Sequence, residues 1–245
     1  PDPSARAGRR RRAGHLAIRP ALPDGSPAGW SVCPMCFSPF ALMCLRPAAW
    51  ADVAGERTAT LPTMTTWNFA DAYERIAASI PDAPCQVQGS RVVTWGSWDR
   101  RANALAADLL AAGIGEQGKV AAYLTNCPEY LEVYLAAFKA GLVPVNTNFR
   151  YGPEEIRYLF ENSDAEAVVF HATYAGLLEE VRGRLPKVRR WYVVADGASE
   201  PEWATPYEAL VSGGADRVEA PWGRSPDHQV FLYTGGTTGM PKGVM

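Results

Sequence analysis

The residues with the clearest chemical character lie together at residues 233–245, where the chain reads YTGGTTGMPKGVM. Within this segment, residues 234–243 hold four glycines, three threonines and one lysine. Glycine has no Cβ, so successive backbone N–H groups can turn inward and surround an anion. Threonine hydroxyls add neutral donors, and lysine adds a mobile positive charge. This composition predicts a binding site for a polyphosphate.

Seven residues of the segment could contact phosphate through a hydroxyl, a backbone N–H or an ammonium group. They are Thr234, Gly235, Gly236, Thr237, Thr238, Gly239 and Lys242. Two common phosphate-binding patterns do not fit. A Walker A loop needs glycine directly before its lysine, and here Pro241 holds that position. A dinucleotide-binding fingerprint needs glycines at i, i+2 and i+5, and no glycine in the segment starts such a series.

The sequence before this segment alternates between helical and strand patterns. We expect helices at residues 69–80, 98–110, 129–140, from 153 onward, 174–185 and 207–211. We expect strands at 86–88, 91–94, 119–124, 143–145, 167–170, 191–194 and, buried, at 230–233. The alternation predicts an α/β fold with a mainly parallel sheet and covering helices. Ligands of such sheets bind beyond the carboxyl ends of the strands, and a loop over 234–243 would begin at such an end.

Single residues between these elements have local structural interpretations. Gly141 follows the third predicted helix and is expected to be its C-cap. Asn146 and Asn148 follow the next strand and are expected to form turns, so we assign them to the scaffold and not to ligand contacts. Cys85 and Cys127 are expected to be small buried or half-buried residues.

The composition changes sharply near Thr63. Residues 1–63 hold eight arginines, no lysine, four acids and nine of the twenty prolines, which gives a net charge of +4. The remainder, 64–245, holds sixteen bases and twenty-two acids, a net charge of −6. Proline- and arginine-rich sequence without periodicity cannot bury enough apolar surface to fold. We therefore expect a disordered or artefactual extension over 1–63 and a folded domain that begins at Met64.

Three features of the extension suggest other functions that we do not favour. The basic run at 9–12 could contact nucleic acid, but such runs are more typical of solvated tails, and we expect no nucleic-acid partner. With the uncharged residues 26–45 and the Ala-Trp-Ala at 49–51, the run imitates a signal peptide, which three prolines and Arg46 interrupt. The extension also lacks the twenty consecutive apolar residues of a membrane span.

The cysteines do not indicate a metal site or a disulfide framework. Cys33 and Cys36 form a single CxxC near Cys44, without a second pair and without histidines at ligand spacing. We expect these thiols to be incidental and the protein to reside in a reducing compartment, the cytoplasm.

The order Thr-x-Gly-Thr-Thr-Gly-x-Pro-Lys-Gly over 234–243 resembles the phosphate loop of the adenylate-forming, or AMP-binding, enzymes. Gly235 departs from the commoner pattern, which has serine there, so one hydroxyl contact is lost. The segments 94–103 and 137–148 resemble the acyl-CoA synthetases of this superfamily, so the likeness extends over about 64–245. By this resemblance, residues 64–245 are identified as the N-terminal part of the large domain of an adenylate-forming enzyme.

The resemblance implies a two-step reaction on a carboxylic acid, and the acyl-CoA synthetase branch implies a fatty acid. ATP and the acid form an acyl-adenylate and pyrophosphate, and CoA, a cosubstrate, then displaces AMP to give a thioester. The threonine hydroxyls and glycine N–H groups named above would surround the β- and γ-phosphates, and Lys242 would supply positive charge. Mg²⁺ is expected on the phosphates, without an assigned protein ligand.

In the superfamily, the adenine, ribose, metal and acyl-pocket residues and a late catalytic lysine come after this loop. We therefore assign no catalytic residue and expect a domain truncated just after the phosphate loop, inactive alone. Two alternatives remain. One is another branch, such as a peptide-synthetase adenylation domain or a luciferase-like enzyme. The other is a non-catalytic module that binds a nucleotide or phosphate.

Overall fold

The computed structural model of the chain describes residues 67–236 and 239–244. The expected extension over 1–63 and the expected domain start at Met64 lie outside these residues. So do Thr237 and Thr238, two of the seven candidate phosphate ligands.

The described residues form helices and strands in the order that the sequence predicts. The helices are α1 Phe69–Ser79, α2 Trp95–Ala111, α3 Pro128–Ala140, α4 Pro153–Asn162, α5 Ala175–Arg182 and α6 Tyr207–Val211, with a 3₁₀ turn at Ala172–Tyr174. The strands are β1 Pro84–Gln88, β2 Arg91–Thr94, β3 Lys119–Tyr123, β4 Val143–Asn146, β5 Ala165–His171, β6 Arg190–Val194, β7 Thr205–Pro206, β8 Leu232–Gly236 and β9 Gly239–Val244. The two-residue β7 and the last strand, β9, were not predicted.

Five of these strands form one sheet in the order β4-β3-β5-β6-β7, and all of its neighbours pair in parallel. Successive side chains of a strand point to opposite faces, and along β5 Ala167 and Val169 belong to one apolar cluster while Val168 and Phe170 belong to another. Helices α1, α2, α3 and α6 bury the first face, and α4 and α5 bury the second. The predicted α/β fold with a mainly parallel sheet is confirmed.

Capping residues explain where the helices begin and end. The hydroxyl of Thr94 accepts a hydrogen bond from the N–H of Ser97, so α2 begins at Trp95, three residues before the predicted start. Helix α3 begins at Pro128, one residue before the predicted range, and ends at Ala140 as predicted. Its C-cap is Gly141, whose φ of 64° is left-handed, as expected. The helix predicted at 174–185 is shorter because a 3₁₀ turn precedes it and Gly183 follows Arg182.

A group of half-buried charged side chains around one fully buried lysine joins three helices on the first face. We call it the ion cluster, and its members are Asp71, Glu74, Asp99, Lys139 and Arg224. The Lys139 side chain is 0% exposed and its ammonium contacts Glu74 and Asp99. The guanidinium of Arg224 contacts Glu74 at 2.7 Å and Asp71 at 2.8 Å. The cluster therefore fastens the segment after α6 to helices α1, α2 and α3.

Hydrogen bonding decides the ionisation of the central carboxylate of the cluster. Burial alone would raise the pKa of Glu74, but hydrogen bonds from Arg224 and Lys139 outweigh burial and lower its pKa to about 2. The carboxylate is thus charged over the whole ordinary pH range.

Candidate phosphate-binding site

The predicted phosphate loop is mostly a β-hairpin. Strands β8 and β9 are antiparallel, and Tyr233 pairs with Gly243 while Thr234 pairs with Lys242, with an irregularity between Thr234 and Gly236. The prediction of a loop over residues 234–243 was therefore wrong for the described part. Glycine and threonine tolerate extended backbone, so their presence did not exclude strands.

The apolar run at 230–233 also differs from the expectation of a buried strand. Val230, Phe231 and Leu232 are half-buried, and of the four residues only Tyr233 is buried. Regular strand β8 begins at Leu232, two residues later than predicted. The reason is that this run lies at an edge of the sheet, where the described residues cover it incompletely.

Backbone hydrogen bonds join the hairpin to strand β4. Phe231 lies parallel to Val145; its N–H donates to the carbonyl of Pro144 at 3.0 Å, and its carbonyl accepts from the N–H of Asn146 at 3.2 Å. Because β4 ends at Asn146, strand β8 continues past the carboxyl end of the sheet. This position agrees with the expected place of a ligand site in a parallel sheet.

The two asparagines after Val145 have different roles. Asn146 is the last residue of β4, and its side-chain oxygen accepts the N–H of Tyr233 at 2.6 Å. It belongs to the scaffold, as expected, but the expected turn at this residue was wrong. Asn148 accepts the N–H of Arg150 at 3.0 Å and does form a local turn.

Thr234 and Lys242 are the candidate ligands that the structure places side by side. Directly paired residues of antiparallel strands share one face, and both of these side chains are exposed. The Thr234 hydroxyl donates weakly to the carbonyl of Lys242 at 3.5 Å. None of the ion pairs among the described residues includes Lys242. A cation and a hydroxyl on one open face can both donate to an anion.

The other candidates are known through their backbone alone or lie outside the described residues. Gly235, Gly236 and Gly239 belong to the ends of the two strands, and Gly236 pairs with Gly239. Thr237 and Thr238 fall in the gap between them. The three glycines therefore lie at the ends of β8 and β9 that are remote in sequence from Phe231, the residue joined to β4.

Sequence reasoning missed two buried polar residues at the carboxyl ends of strands. Thr147 follows β4 and is 4% exposed, and its hydroxyl has no hydrogen-bond partner among the described residues. His171 ends β5, and its Nδ1 accepts the N–H of Thr125 at 3.1 Å. Burial lowers the pKa of His171 and favours the neutral ring. Their position after parallel strands was the one signal that could have identified them.

The described part of the chain offers no metal centre, because no three His, Cys, Asp or Glu side chains in it come together suitably. Cys85 and Cys127 are half-buried, as expected, and burial raises their pKa values to about 11 and about 12. Both thiols are therefore protonated at neutral pH. Among the helices that the structure describes, none combines the length and apolar character needed to cross a membrane.

The model of the AMP-binding enzyme family matches residues 73–245. This match includes the sheet, its covering helices and the hairpin. The chain belongs to the AMP-binding enzyme family.

Curated relatives carry the names of CoA ligases. A medium/long-chain-fatty-acid–CoA/3-oxocholest-4-en-26-oate–CoA ligase of Mycobacterium tuberculosis (strain CDC 1551 / Oshkosh) is 38% identical over 182 residues, covering 73% of this chain and 33% of the relative. Medium-chain acyl-CoA ligase Mig of Mycobacterium avium is 36% identical, covering 75% of this chain and 36% of the relative. The chain thus spans about a third of the length of these relatives.

Solved structures share the fold. Acetoacetyl-CoA synthetase from Streptomyces lividans superposes with a TM-score of 0.65 at 26% identity, over 73% of this chain and 30% of that one. The anthranilate CoA ligase AuaEII superposes with a TM-score of 0.67 at 23% identity, over 77% of this chain and 36% of that one.

Proposed function

We propose that the protein containing this chain activates a fatty acid with ATP and transfers the acyl group to CoA. In the first step a carboxylate oxygen attacks the α-phosphorus, the bond to the β-phosphate oxygen breaks, and pyrophosphate leaves. In the second step the CoA sulfur attacks the acyl carbon and AMP leaves, giving the thioester. The cytoplasm supplies both ATP and CoA, and we place the protein there.

One observation carries this proposal: Thr234 and Lys242, in a Thr-x-Gly-Thr-Thr-Gly-x-Pro-Lys-Gly sequence, form an exposed cross-strand pair beyond the carboxyl end of β4. The open face lies where parallel sheets bind ligands. The relatives named above as fatty-acid ligases add the substrate class.

The seven candidate ligands would divide the work on the phosphates. The hydroxyls of Thr234, Thr237 and Thr238 and the N–H groups of the three glycines would surround the β- and γ-phosphates. Lys242 would balance the negative charge that gathers on pyrophosphate as it leaves. Mg²⁺ would bind the phosphate oxygens, and we assign it no ligand among the residues of this chain.

An ATP–pyrophosphate exchange assay tests the proposal. The 245-residue chain and the longest protein encoded by its natural reading frame are each given ATP and fatty acids, aromatic acids or amino acids. Exchange with fatty acids, followed by thioester formation with CoA, is the expected result for the protein from the complete reading frame. Exchange with amino acids would instead indicate an adenylation domain of a peptide synthetase. Nucleotide binding without exchange would indicate a non-catalytic module.

An aromatic acid is the second candidate substrate. A 3-hydroxybenzoate–CoA ligase of Aromatoleum sp. (strain CIB) is 31% identical and covers 69% of this chain, with 32% of its own length matched. Exchange with benzoates and none with fatty acids would favour this candidate.

A further inference from the structure

Tyr233 attaches the hairpin to the rest of the domain through its side chain, in addition to the backbone hydrogen bonds of Phe231 to β4. Its side chain is 6% exposed, whereas its neighbours Leu232 and Thr234 are half-buried and exposed. Its ring packs in the apolar cluster on the face of the sheet that α4 and α5 cover. A buried ring next to two accessible neighbours indicates a point of attachment.

Two hydrogen bonds fix both ends of this residue. The backbone N–H of Tyr233 donates to the side-chain oxygen of Asn146 at 2.6 Å, at the end of β4. Its phenolic hydroxyl donates to the side-chain oxygen of Asn162 at 2.7 Å, at the end of α4. The residue thus spans two different secondary-structure elements, which restricts both its position and its orientation.

The ring also lies against the opposite strand of the hairpin. A Cβ added at Gly243, the cross-strand partner of Tyr233, would lie 3.2 Å from Cζ and 3.4 Å from the hydroxyl oxygen. Such contacts are tighter than ordinary van der Waals separations, so a side chain at position 243 would require the Tyr233 ring to shift by a few tenths of an ångström. Gly243 therefore serves the attachment of β9, although it stands in the glycine-rich phosphate segment.

The attachment is adjacent to the proposed ligands. Thr234 follows Tyr233, Lys242 precedes Gly243, and these two residues form the next pair along the hairpin. Fixing the pair formed by Tyr233 and Gly243 consequently fixes the direction in which Thr234 and Lys242 face. Groups that are held in place before binding lose less conformational entropy on binding.

We propose that Tyr233 is a positioning residue for the phosphate site and acts through its hydrogen bond to Asn162 and its contact with Gly243. It does not touch the phosphates. It holds the hairpin so that Thr234 and Lys242 face them, and this role rests on the function proposed above.

The test measures binding of inorganic tripolyphosphate to the 245-residue chain by NMR, with ¹⁵N-labelled glycine and threonine reporting on the hairpin. Tyr233→Phe removes the hydroxyl and keeps the ring, and Asn162→Ala removes the acceptor from an exposed position. Each should weaken binding about three- to tenfold, since one net hydrogen bond of about 0.5–1.5 kcal/mol no longer preorganises the site. The double variant should bind as each single variant does, because both remove one interaction. Asn162→Asp keeps an oxygen acceptor and should bind like the unmodified chain.

Tyr192→Phe is the matched control. Its hydroxyl donates to Asp108 at 2.6 Å, between β6 and α2, so the change removes a comparable hydrogen bond away from the hairpin. It should lower the thermal midpoint as Tyr233→Phe does and change tripolyphosphate affinity less than twofold.

The outcomes separate this inference from the proposed function. An unmodified chain that shows no tripolyphosphate binding would overturn the phosphate site and this inference with it. Binding that is normal in the unmodified chain and equally strong in Tyr233→Phe and Asn162→Ala would overturn the positioning role alone. Additive weakening in the double variant would also contradict it, because the two groups would then act separately.

Discussion

The ion cluster and the hairpin both contain charged residues in short, specific arrangements, yet they differ in what surrounds those charges. Lys139 is fully buried between the carboxylates of Glu74 and Asp99. Lys242 is exposed on the hairpin and takes part in none of the ion pairs among the described residues. The fold neutralises the first lysine internally and leaves the second available to a ligand.

This difference gives a physical criterion for separating structural from functional charges. A buried charge that loses its partner is costly, so the cluster should contribute to the stability of the fold. An exposed lysine stabilises the fold little, so its presence is better explained by what it binds. Substitutions in the cluster should therefore change stability, and substitutions at Lys242 should change activity.

The largest expected effect is on stability and follows from Lys139→Met. The change leaves Asp99 without its cation and leaves Glu74 paired with Arg224 and Arg217. Removing one partner of a buried pair typically costs about 3–5 kcal/mol. Urea unfolding of the chain measures the loss. The matched control is Lys187→Met, which breaks the exposed pair with Asp164, whose side chains are 66% and 59% exposed. The control should change the unfolding free energy by less than about 0.5 kcal/mol, and equal losses in both variants would contradict the distinction.

The next effect is on catalysis and follows from Lys242→Ala in the complete protein. If the lysine stabilises departing pyrophosphate, adenylation should slow on the order of 10²–10³-fold, the equivalent of about 2.7–4 kcal/mol. Thioester formation from supplied acyl-adenylate involves no pyrophosphate and should slow much less. Both half-reactions are measured beside the unmodified protein, whose thermal midpoint should be the same. Equal slowing of both steps, or an unchanged adenylation rate, would show that Lys242 lacks this role.

Acid should destabilise the chain through the cluster. The folded-state pKa of Glu74, about 2, lies below the 4.5 usual for a glutamate. Its contribution is therefore fully present above about pH 4.5 and is lost as the pH falls towards 2. The expected loss is on the order of 2 kcal/mol by pH 3. Urea unfolding at several pH values should show a shallower acid slope for Glu74→Gln, while Lys242→Ala keeps the slope of the unmodified chain. The same slope in Glu74→Gln would refute this assignment.

A smaller effect on stability is expected at the end of α3, where the chain between the ion cluster and the hairpin packs against Gly141. Gly141 has a φ of 64°, and a Cβ there would lie 2.4 Å from Nε1 of Trp222 and 2.8 Å from Cε1 of His228. Gly141→Ala should destabilise the chain by about 1–2 kcal/mol through strain and displacement of Trp222. Gly176→Ala is the control: it meets nothing within 4 Å in helix α5 and should stabilise by about 0.4–1 kcal/mol. Thermal unfolding compares the two variants. An unchanged thermal midpoint in Gly141→Ala would mean that Trp222 and His228 move away from the new Cβ at little cost.

The sequence predicted those parts of the fold that local patterns determine. Proline at the start of α3 and Gly141 at its end delimit that helix without any tertiary information. Strand β7 was missed because two residues, one of them proline, give no periodic signal. The ion cluster was missed because its partners are far apart in sequence, Glu74 and Lys139 by 65 residues and Glu74 and Arg224 by 150.

The motif at the candidate site predicted the family of the chain but not the backbone shape of the segment. The motif at 234–243 identified the family that the comparison then showed. It did not indicate a hairpin, since glycine and threonine occur in loops and in strands alike. The role of Asn146 was also unpredictable, because its bond to the N–H of Tyr233 joins residues 87 positions apart.

Pro144 has a consequence for how the hairpin can be aligned on the sheet. Its carbonyl accepts the N–H of Phe231, but proline has no N–H to donate in return. A shift of Phe231 by two residues towards the start of β4 would keep every side chain on its present face of the sheet. In that register the carbonyl of Phe231 would have to accept a hydrogen bond from the backbone nitrogen of Pro144, which carries no hydrogen. Such a slip would leave a carbonyl without its partner, at a cost of about 1–3 kcal/mol. The missing N–H of Pro144 therefore disfavours this slipped register and helps to set how far Lys242 lies beyond the carboxyl end of the sheet.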